Sequence, residues 1–334
     1  MSIFPTRASG SAVDFVSSRS VEPRGAPGRG LAAAAGLGVL AGLSSALVGL
    51  IGQAWTTTRS IEKAALAAAL ADGTLVPPPV PGATAAQQQV ADHLVHIRLP
   101  QGDGMYRPDR SRVDEGDGEF RERPLTLVML GDSTSVGYGA RTADELPGAI
   151  IARGVAAHLD RPVRLRSHGL TGARTADLPR QLELCFAEGP DLVVILIGGN
   201  DLRDRVPPWR SAAQLGQAVA TLTERGVPVV VGTCPDFGAI TAIPQPLRGV
   251  LSTWSLRLAA MQERAVDAAG GRPVPLARLV SPQFVGRPHL FAADRFHPSG
   301  AGYGRAMQVI VPAAIAELEG TEPTAADLAR PLSA

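Results

Sequence analysis

A serine in a glycine-bounded turn and a histidine close to an aspartate carry the chemistry of this sequence. Ser133 follows Gly131 and Asp132 at the end of an apolar run, where a turn can present its hydroxyl to a ligand crevice. Asp294 precedes His297 by three residues, so its carboxylate can accept from one ring nitrogen while the other faces a hydroxyl. A serine nucleophile needs such a base, because its free hydroxyl is scarcely ionised near neutral pH.

Further hydrogen-bond donors follow two other predicted strands. Asn200, the only asparagine of the chain, stands in Gly-Gly-Asn-Asp directly after an apolar run, and its amide donates without titrating. Gly169 also follows a predicted strand, and a glycine there lets a ligand approach the backbone N–H. Together with the N–H of Ser133, these groups could surround the oxyanion of a tetrahedral intermediate.

Short apolar runs alternate with amphipathic stretches from residue 125 onward. The pattern predicts strands at 125–130, 163–166, 192–197, 227–232 and 274–279. It predicts helices at 143–159, 175–186, 212–225, 248–269 and 301–318. Strands that alternate with helices indicate a parallel sheet covered on both faces. We therefore expect one three-layer α/β/α domain with a five-stranded parallel sheet over residues 124–320.

The amino-terminal part differs in character. Residues 31–54 carry no charge and no proline, and they are long enough to cross a hydrocarbon core of about 30 Å. Arginines precede them, which favours a cytoplasmic tail (1–30), a retained transmembrane signal anchor and an extracytoplasmic catalytic domain. An alanine-rich soluble helix is the alternative, and cleavage after Ala54 would need an unusually long signal-peptide core. Residues 55–123 are expected to form a stalk, and 321–334 a carboxy-terminal tail.

Composition argues against several other functions. The net charge is +1 with mixed signs, so nucleic acid is not an expected partner. Cys185 and Cys234 lack the spacing of a metal site, and the predicted chemistry needs neither a metal nor an organic cofactor. The two cysteines could be buried thiols or could pair if the domain is exported. Gly137 and Gly139 do not complete a phosphate-binding loop.

Four sequence blocks resemble those of the SGNH (GDSL-type) hydrolase family. They are Gly-Asp-Ser at 131–133, Gly-Leu-Thr-Gly from Gly169, Gly-Gly-Asn-Asp at 198–201 and Asp-x-x-His-Pro at 294–298. The resemblance covers the whole carboxy-terminal domain and implies a flavodoxin-like sheet. It also implies that the protein hydrolyses esters, thioesters or acylated sugars through an acyl-enzyme. By the same resemblance Ser133 is the nucleophile, His297 the base and Asp294 its orienting partner. The implied oxyanion hole consists of Ser133, Gly169 and Asn200.

Residues beside these blocks receive structural interpretations. Ser167 departs from the family, in which an asparagine often stands two residues before the second-block glycine, and this affects the loop geometry more than catalysis. Asp132 and Asp201 are interpreted as tying down their own turns. The loops 235–247 and 281–296 are expected to line the substrate pocket. Their apolar residues could form its rim or pack the loops onto the sheet: Phe237, Ile240, Ile243, Phe284 and Phe291. Trp209 could also border the site.

The expected function is therefore a serine esterase acting on a small-molecule, lipid or glycan ester, with the membrane as a further partner. One alternative is a membrane-tethered acyltransferase that moves the acyl group to a sugar hydroxyl with the same triad. A second is a non-catalytic binding module. Loss of Ser133, His297 or Asn200 would favour that module, and all three are present.

Overall fold

The computed structural model describes residues 100–113, 120 and 122–323. The strands are β1 (Gly104–Tyr106), β2 (Arg112–Val113), β3 (Leu125–Gly131), β4 (Val163–Ser167), β5 (Leu192–Leu196), β6 (Val229–Gly232) and β7 (Arg272–Val274). The helices are α1 (Pro147–Leu159), α2 (Leu178–Ala187), α3 (Gly199–Arg203), α4 (Pro208–Thr223), α5 (Leu247–Ala268), α6 (Leu276–Leu279), α7 (Ser281–Phe284) and α8 (Gly300–Glu319). Short 3-10 turns lie at Ala143–Glu145, Thr175–Asp177, Phe237–Ala239 and Pro288–Leu290.

Within the described residues, seven strands form one mixed sheet in the order β2-β1-β4-β3-β5-β6-β7. The five strands from β4 to β7 run parallel, with Leu127 of β3 opposite Leu165 of β4 and Leu192 of β5. β1 and β2 add an antiparallel edge. The predicted five-stranded parallel sheet is therefore corrected to a seven-stranded mixed sheet with a parallel centre.

The antiparallel edge lies in a stretch that the sequence assigned to the stalk. Gly104 of β1 pairs with Leu165 of β4, and the Tyr106 side chain is buried with its hydroxyl donating to the carbonyl of Gly102. The Arg112 guanidinium donates to the carbonyl of Asp103 at 2.8 Å. The prediction was wrong here because a strand of three residues among charged neighbours has too few side chains to show a period of two.

Side chains alternate between the two faces of the sheet and build a three-layer α/β/α core. Leu127, Met129 and Val194 face α1 and α8, whereas Val128 and Ile195 face α2, α4 and α5. All five are fully buried. Each such side chain contributes about 1.5–3 kcal/mol relative to an exposed one. The unbroken apolar runs that predicted buried parallel strands therefore correspond to a sheet covered on both faces.

The last predicted strand is partly wrong. Only Arg272–Val274 pair with β6, and Leu276–Leu279 form the short helix α6. Pro275 separates them as the cap residue of α6, where a missing N–H is tolerated. Proline also explains why α4 begins earlier than predicted, since Pro208 occupies its first turn, where the missing N–H costs nothing.

Among the residues from 100 to 323 that the structure describes, no helix has the length and apolar character needed to span a membrane. The predicted tail 1–30, the anchor 31–54 and most of the stalk lie outside the described residues. Cys185 and Cys234 are both buried free thiols.

Candidate active site

The predicted site residues lie at the carboxyl edge of the parallel strands. Ser133 follows β3, Gly169 follows β4, and Asn200 lies in the first turn of α3 after β5. β3 lies between β4 and β5 in the sheet, so these three strand ends are neighbours. His297 and Asp294 belong to the loop that precedes α8.

The turn after β3 holds the Ser133 backbone in one conformation. Gly131 has a φ of +133°, and a Cβ there would lie 1.9 Å from the carbonyl oxygen of Leu196. The N–H of Asp132 donates to that same carbonyl at 3.0 Å, and the N–H of Tyr138 donates to the Ser133 carbonyl at 2.9 Å. Only glycine allows β3 and β5 to approach this closely at the point where the serine is presented.

Two buried glutamines, which the sequence analysis missed, hold the strand ends. Gln181 of α2 accepts from the N–H of Gly131 at 2.7 Å and donates to the Gly131 carbonyl at 2.9 Å. Gln262 of α5 accepts from the N–H of Cys234 at 2.8 Å and donates to the carbonyl of Ile197 at 3.2 Å. Both glutamines therefore bind backbone groups where strands end. Their only sequence signal is a polar side chain on the apolar face of a helix.

Ser133, His297 and Asp294 form one chain of hydrogen bonds. The Ser133 Oγ lies 2.9 Å from His297 Nε2, and His297 Nδ1 lies 2.6 Å from Asp294 Oδ2. In the tautomer with a proton on Nδ1, the imidazole donates to Asp294 and accepts from the Ser133 hydroxyl. The geometry suits a base that removes the serine proton.

Hydrogen bonds between near neighbours in the sequence fix the conformation of the loop around Asp294. Asp294 Oδ1 accepts from the N–H groups of Phe296 and His297 at 2.9 and 3.0 Å, and Arg295 between them adopts a left-handed conformation with φ 57°. Burial raises the pKa of Asp294, but the bonds and charge of His297 and the N–H of Phe296 outweigh it and bring that pKa below 3.8. The carboxylate is therefore ionised near neutral pH.

Aromatic rings fix the plane of the imidazole. The Tyr138 and His297 ring centroids lie 4.4 Å apart, and Phe296 packs its edge on His297 at 5.1 Å. The hydroxyl of buried Tyr303 donates to the carbonyl of Tyr138 at 2.8 Å. This bond ties α8 to the turn at residues 132–139 that presents Ser133, called the nucleophile turn below.

The proposed oxyanion donors lie against the same turn. A Cβ on Gly169 would come 2.1 Å from Ser135 Oγ, so the backbone of Gly169 directly contacts the nucleophile turn. The neighbouring N–H of Leu170 donates to the Gly131 carbonyl at 3.0 Å. The Asn200 side-chain amide donates to the carbonyl of Ala173 at 2.9 Å. Both donor groups are thus attached to the loop that follows β4.

The Asp201 carboxylate holds the turn that follows β4. Its Oδ2 accepts from the N–H and the hydroxyl of Thr175, each at 3.0 Å, and that hydroxyl lies 3.0 Å from Ser211 Oγ in α4. Burial is the largest influence on the Asp201 carboxyl and raises its pKa. Asp201 was expected to tie down its own turn, whereas its hydrogen bonds to Thr175 hold a turn 26 residues away.

Most apolar residues of the loops 235–247 and 281–296 pack against the protein and do not form a substrate rim. Phe237, Ile240 and Ile243 are buried in a cluster with α5, and Phe284 is buried with its ring edge-to-face on Phe291 at 5.2 Å. Trp209 is 65% exposed at the start of α4, and Leu170 is 60% exposed beside Gly169. The backbone N–H of Ser167, at the end of β4, donates to the Asp103 carboxylate at 3.2 Å. Leu170 was not singled out from the sequence.

Comparison with known proteins identifies the family of this chain. Residues 129–305 match the GDSL-like Lipase/Acylhydrolase family. The GDSL-like esterase Rv1075c of Mycobacterium tuberculosis (strain ATCC 25618 / H37Rv) is 44% identical over 216 residues, which are 63% of this chain and 68% of that protein.

Similar solved structures include a lipase/acylhydrolase from Enterococcus faecalis, with 25% identity, a TM-score of 0.46 and coverage of 60% of this chain and 98% of that one. An acetyl-xylooligosaccharide esterase from Geobacillus Stearmophilus has 20% identity, a TM-score of 0.47 and coverage of 59% and 95%. On the family match and the 44% identity, the chain belongs to the GDSL-like lipase/acylhydrolase (SGNH hydrolase) family and is a carboxylic ester hydrolase.

Proposed function

We propose that Ser133 attacks the carbonyl carbon of a carboxylic ester and forms an acyl-enzyme that water then hydrolyses. The observation that carries this proposal is the hydrogen-bonded chain from Ser133 Oγ through His297 to Asp294, with distances of 2.9 and 2.6 Å. His297 takes the serine proton during attack and returns it to the leaving alcohol. In the second half-reaction His297 deprotonates water, and Ser133 leaves with that proton.

The negative charge that develops on the ester oxygen would be bound by three donors: the N–H groups of Ser133 and Gly169 and the amide of Asn200. The packing of Gly169 against Ser135 and the bond of Asn200 to Ala173 support this assignment. Donors fixed before the substrate arrives need no reorganisation when the charge appears.

We further propose that the substrates carry short acyl groups. Phe237, Ile240, Ile243 and Phe284 are buried in packing, so these side chains are not available to line a groove for a long chain. Leu170 is an apolar side chain that is exposed beside the proposed oxyanion donor Gly169. One such contact suits an acetyl or butyryl group better than a fatty acyl chain, because the remaining CH₂ groups of a long chain would stay exposed and gain none of the roughly 0.8 kcal/mol that each buried CH₂ contributes.

The proposed location is the outer face of a membrane. The uncharged segment 31–54 and the arginines before it support this. Cell fractionation combined with protease accessibility of the catalytic domain tests the proposal, and recovery in the soluble cytoplasmic fraction would contradict it.

The proposed activity is tested with full-length protein on p-nitrophenyl esters of increasing acyl length. We expect hydrolysis that is lost in Ser133→Ala and retained in Ser111→Ala, a matched change at an exposed hydroxyl that bonds Asp109. The acetyl or butyryl ester should exceed the palmitoyl ester at least roughly tenfold in kcat/KM. A second arm adds sugar acceptors. Exclusive transfer to the sugar, with no release to water, would contradict hydrolysis as the reaction.

A further inference from the structure

Gln181 of α2 lies against the end of the strand that presents Ser133. Its side chain is buried, with 4% exposure. Its Oε1 accepts from the N–H of Gly131 at 2.7 Å, and its Nε2 donates to the carbonyl of Gly131 at 2.9 Å. One side chain therefore binds both backbone groups of the glycine from which the chain turns to present the nucleophile.

The bonds of Gly131 differ from those of a regular parallel ladder. The N–H of Leu170, in the chain after β4, donates to the Gly131 carbonyl at 3.0 Å. In a regular ladder the N–H of Gly131 would face the same neighbouring strand and donate to one of its carbonyls. Here that N–H donates to Gln181 instead. The chain after β4 is therefore free to leave the sheet and to carry Gly169 to the nucleophile turn.

The carbonyl of Gly131 joins the nucleophile turn to the loop that carries Gly169. It accepts from Gln181 and Leu170 together, and Leu170 directly follows Gly169. A Cβ on Gly169 would lie 2.1 Å from a side chain of the nucleophile turn, so the loop and the turn are in direct contact. A shift of the Gly131 carbonyl would therefore move the Gly169 N–H relative to Ser133.

We propose that Gln181 is a positioning residue that fixes the distance between the Ser133 hydroxyl and the N–H of Gly169. The inference rests on the proposed function, in which that N–H binds the oxyanion. Gln181 acts through Gly131 and not on the reacting atoms. Without Gln181, the buried N–H of Gly131 would need a carbonyl of the loop after β4 as its acceptor. That loop would then move, and small displacements of reacting groups lower rates strongly.

The amide of Gln181 suits this position because it offers an acceptor and a donor at once. A glutamate could replace it only when protonated, since an ionised carboxylate has no proton for the Gly131 carbonyl. Methionine has a similar length, no donor and only a weak acceptor. Gln181→Glu therefore makes the pair of hydrogen bonds depend on pH, whereas Gln181→Met removes the pair at every pH.

The test measures kcat and KM on p-nitrophenyl acetate from about pH 5 to about pH 9 for full-length wild-type and variant proteins. We expect Gln181→Met to lose roughly 10–100-fold in kcat with little change in KM, by a factor that does not vary with pH. Gln181→Glu should have nearly the wild-type kcat at the acidic end and fall to that of Gln181→Met as its carboxyl ionises. Burial places this fall above the ordinary glutamate pKa of about 4.3.

Thr223→Val is the matched control. Thr223 Oγ1 donates to the carbonyl of Ala269 at 2.7 Å, so this variant also loses a bond from a side chain to the backbone. Thr223 is the last residue of α4, and it contacts none of the strand ends that carry the site residues. The variant should lose stability, while its kcat and the pH dependence of kcat stay those of the wild-type protein.

Thermal unfolding of each preparation shows which variants are folded. If Gln181→Met does not fold, Gln181→Glu is sufficient, because it is compared with itself across pH. Wild-type kcat in folded Gln181→Met overturns the inference, and so does a kcat of Gln181→Glu that does not fall relative to the wild-type value as the pH rises.

Fluorophosphonate labelling of the wild-type protein separates failure of this inference from failure of the proposed function. If Ser133 is labelled while the Gln181 variants behave like the wild-type protein, only the inference on Gln181 falls. An unlabelled wild-type protein contradicts the proposed function and the inference together.

Discussion

The side-chain amide of Asn200 donates to the backbone carbonyl of Ala173 at 2.9 Å. Ala173 belongs to the loop after β4 that also carries Gly169. One N–H of the amide therefore holds Asn200 against this loop, and the second N–H is left for a substrate oxygen. Two of the three proposed oxyanion donors thus belong to one hydrogen-bonded unit, which keeps their spacing constant.

Replacement of Asn200 by alanine tests this unit. We expect Asn200→Ala to lower kcat by about 10²–10³-fold, which is typical of losing one oxyanion donor. KM should change little, since the donor acts mainly on the transition state. Steady-state kinetics and thermal unfolding of the same preparation give the result. A folded variant with wild-type turnover would remove Asn200 from the proposed oxyanion hole.

The close packing of Gly169 predicts a different kind of defect. Gly169→Ala would place a Cβ 2.1 Å from Ser135 Oγ and 3.0 Å from Val136 Cγ1, so the nucleophile turn must shift. We expect a loss of activity of roughly 10²-fold, because small displacements of reacting groups have effects of this size.

The matched control for that variant is Gly304→Ala in α8, where an added Cβ has no neighbour within 4 Å. Alanine is the better helix former, so this control should be more stable by about 0.5–1 kcal/mol with unchanged activity. The double variant Gly169→Ala with Ser135→Ala, which removes the nearest atom, should recover part of the activity. Equal activity of Gly169→Ala and the wild-type protein would show that the turn is not tightly held.

Whether a contact can be predicted from the sequence depends on how far apart its two residues lie along the chain. The central strands were predictable because their apolar runs end at glycines, and the contact between Asp294 and His297 spans only three residues. The contact between Ser133 and His297 joins residues 164 positions apart. No periodicity along the chain relates these two residues. Their pairing was inferred from the need of a serine nucleophile for a base, from the Asp-x-x-His spacing and from the family resemblance.

The missed features depend on tertiary pairing. β1 is a strand because it pairs with the edge of β4. Its three residues lie among charged neighbours and carry no strand pattern in the sequence. The role of Gln181 likewise depends on its contact with the backbone of Gly131, 50 residues away. The apolar loop residues were ambiguous for the same reason, because a rim and a packed loop use the same side chains.

The raised pKa of the buried Asp132 carboxyl predicts that the free energy of unfolding depends on pH. Its pKa in the folded protein is about 6 against an ordinary 3.8, so the folded state binds a proton more tightly than the unfolded state. Its contribution to stability is therefore fully present below 3.8 and is lost as the pH rises through 6. The loss corresponds to about 3 kcal/mol.

Chemical denaturation of the wild-type protein and Asp132→Asn at several pH values checks this. The free energy of unfolding of Asp132→Asn minus that of the wild-type protein should rise as the pH increases from 3.8 to 6. Above pH 6 this difference should stay constant. A difference that does not change with pH would show that the Asp132 carboxyl titrates alike in the folded and unfolded states.

The central claim is that Ser133 is an activated nucleophile, and covalent labelling tests it most directly. Full-length protein is treated with a fluorophosphonate probe, and the modified peptide is mapped by mass spectrometry. We predict one adduct on Ser133 in the wild-type protein and a labelling rate at least roughly 10³-fold lower in folded His297→Ala. A folded wild-type protein without an adduct on Ser133, or with equal labelling in His297→Ala, would contradict the account.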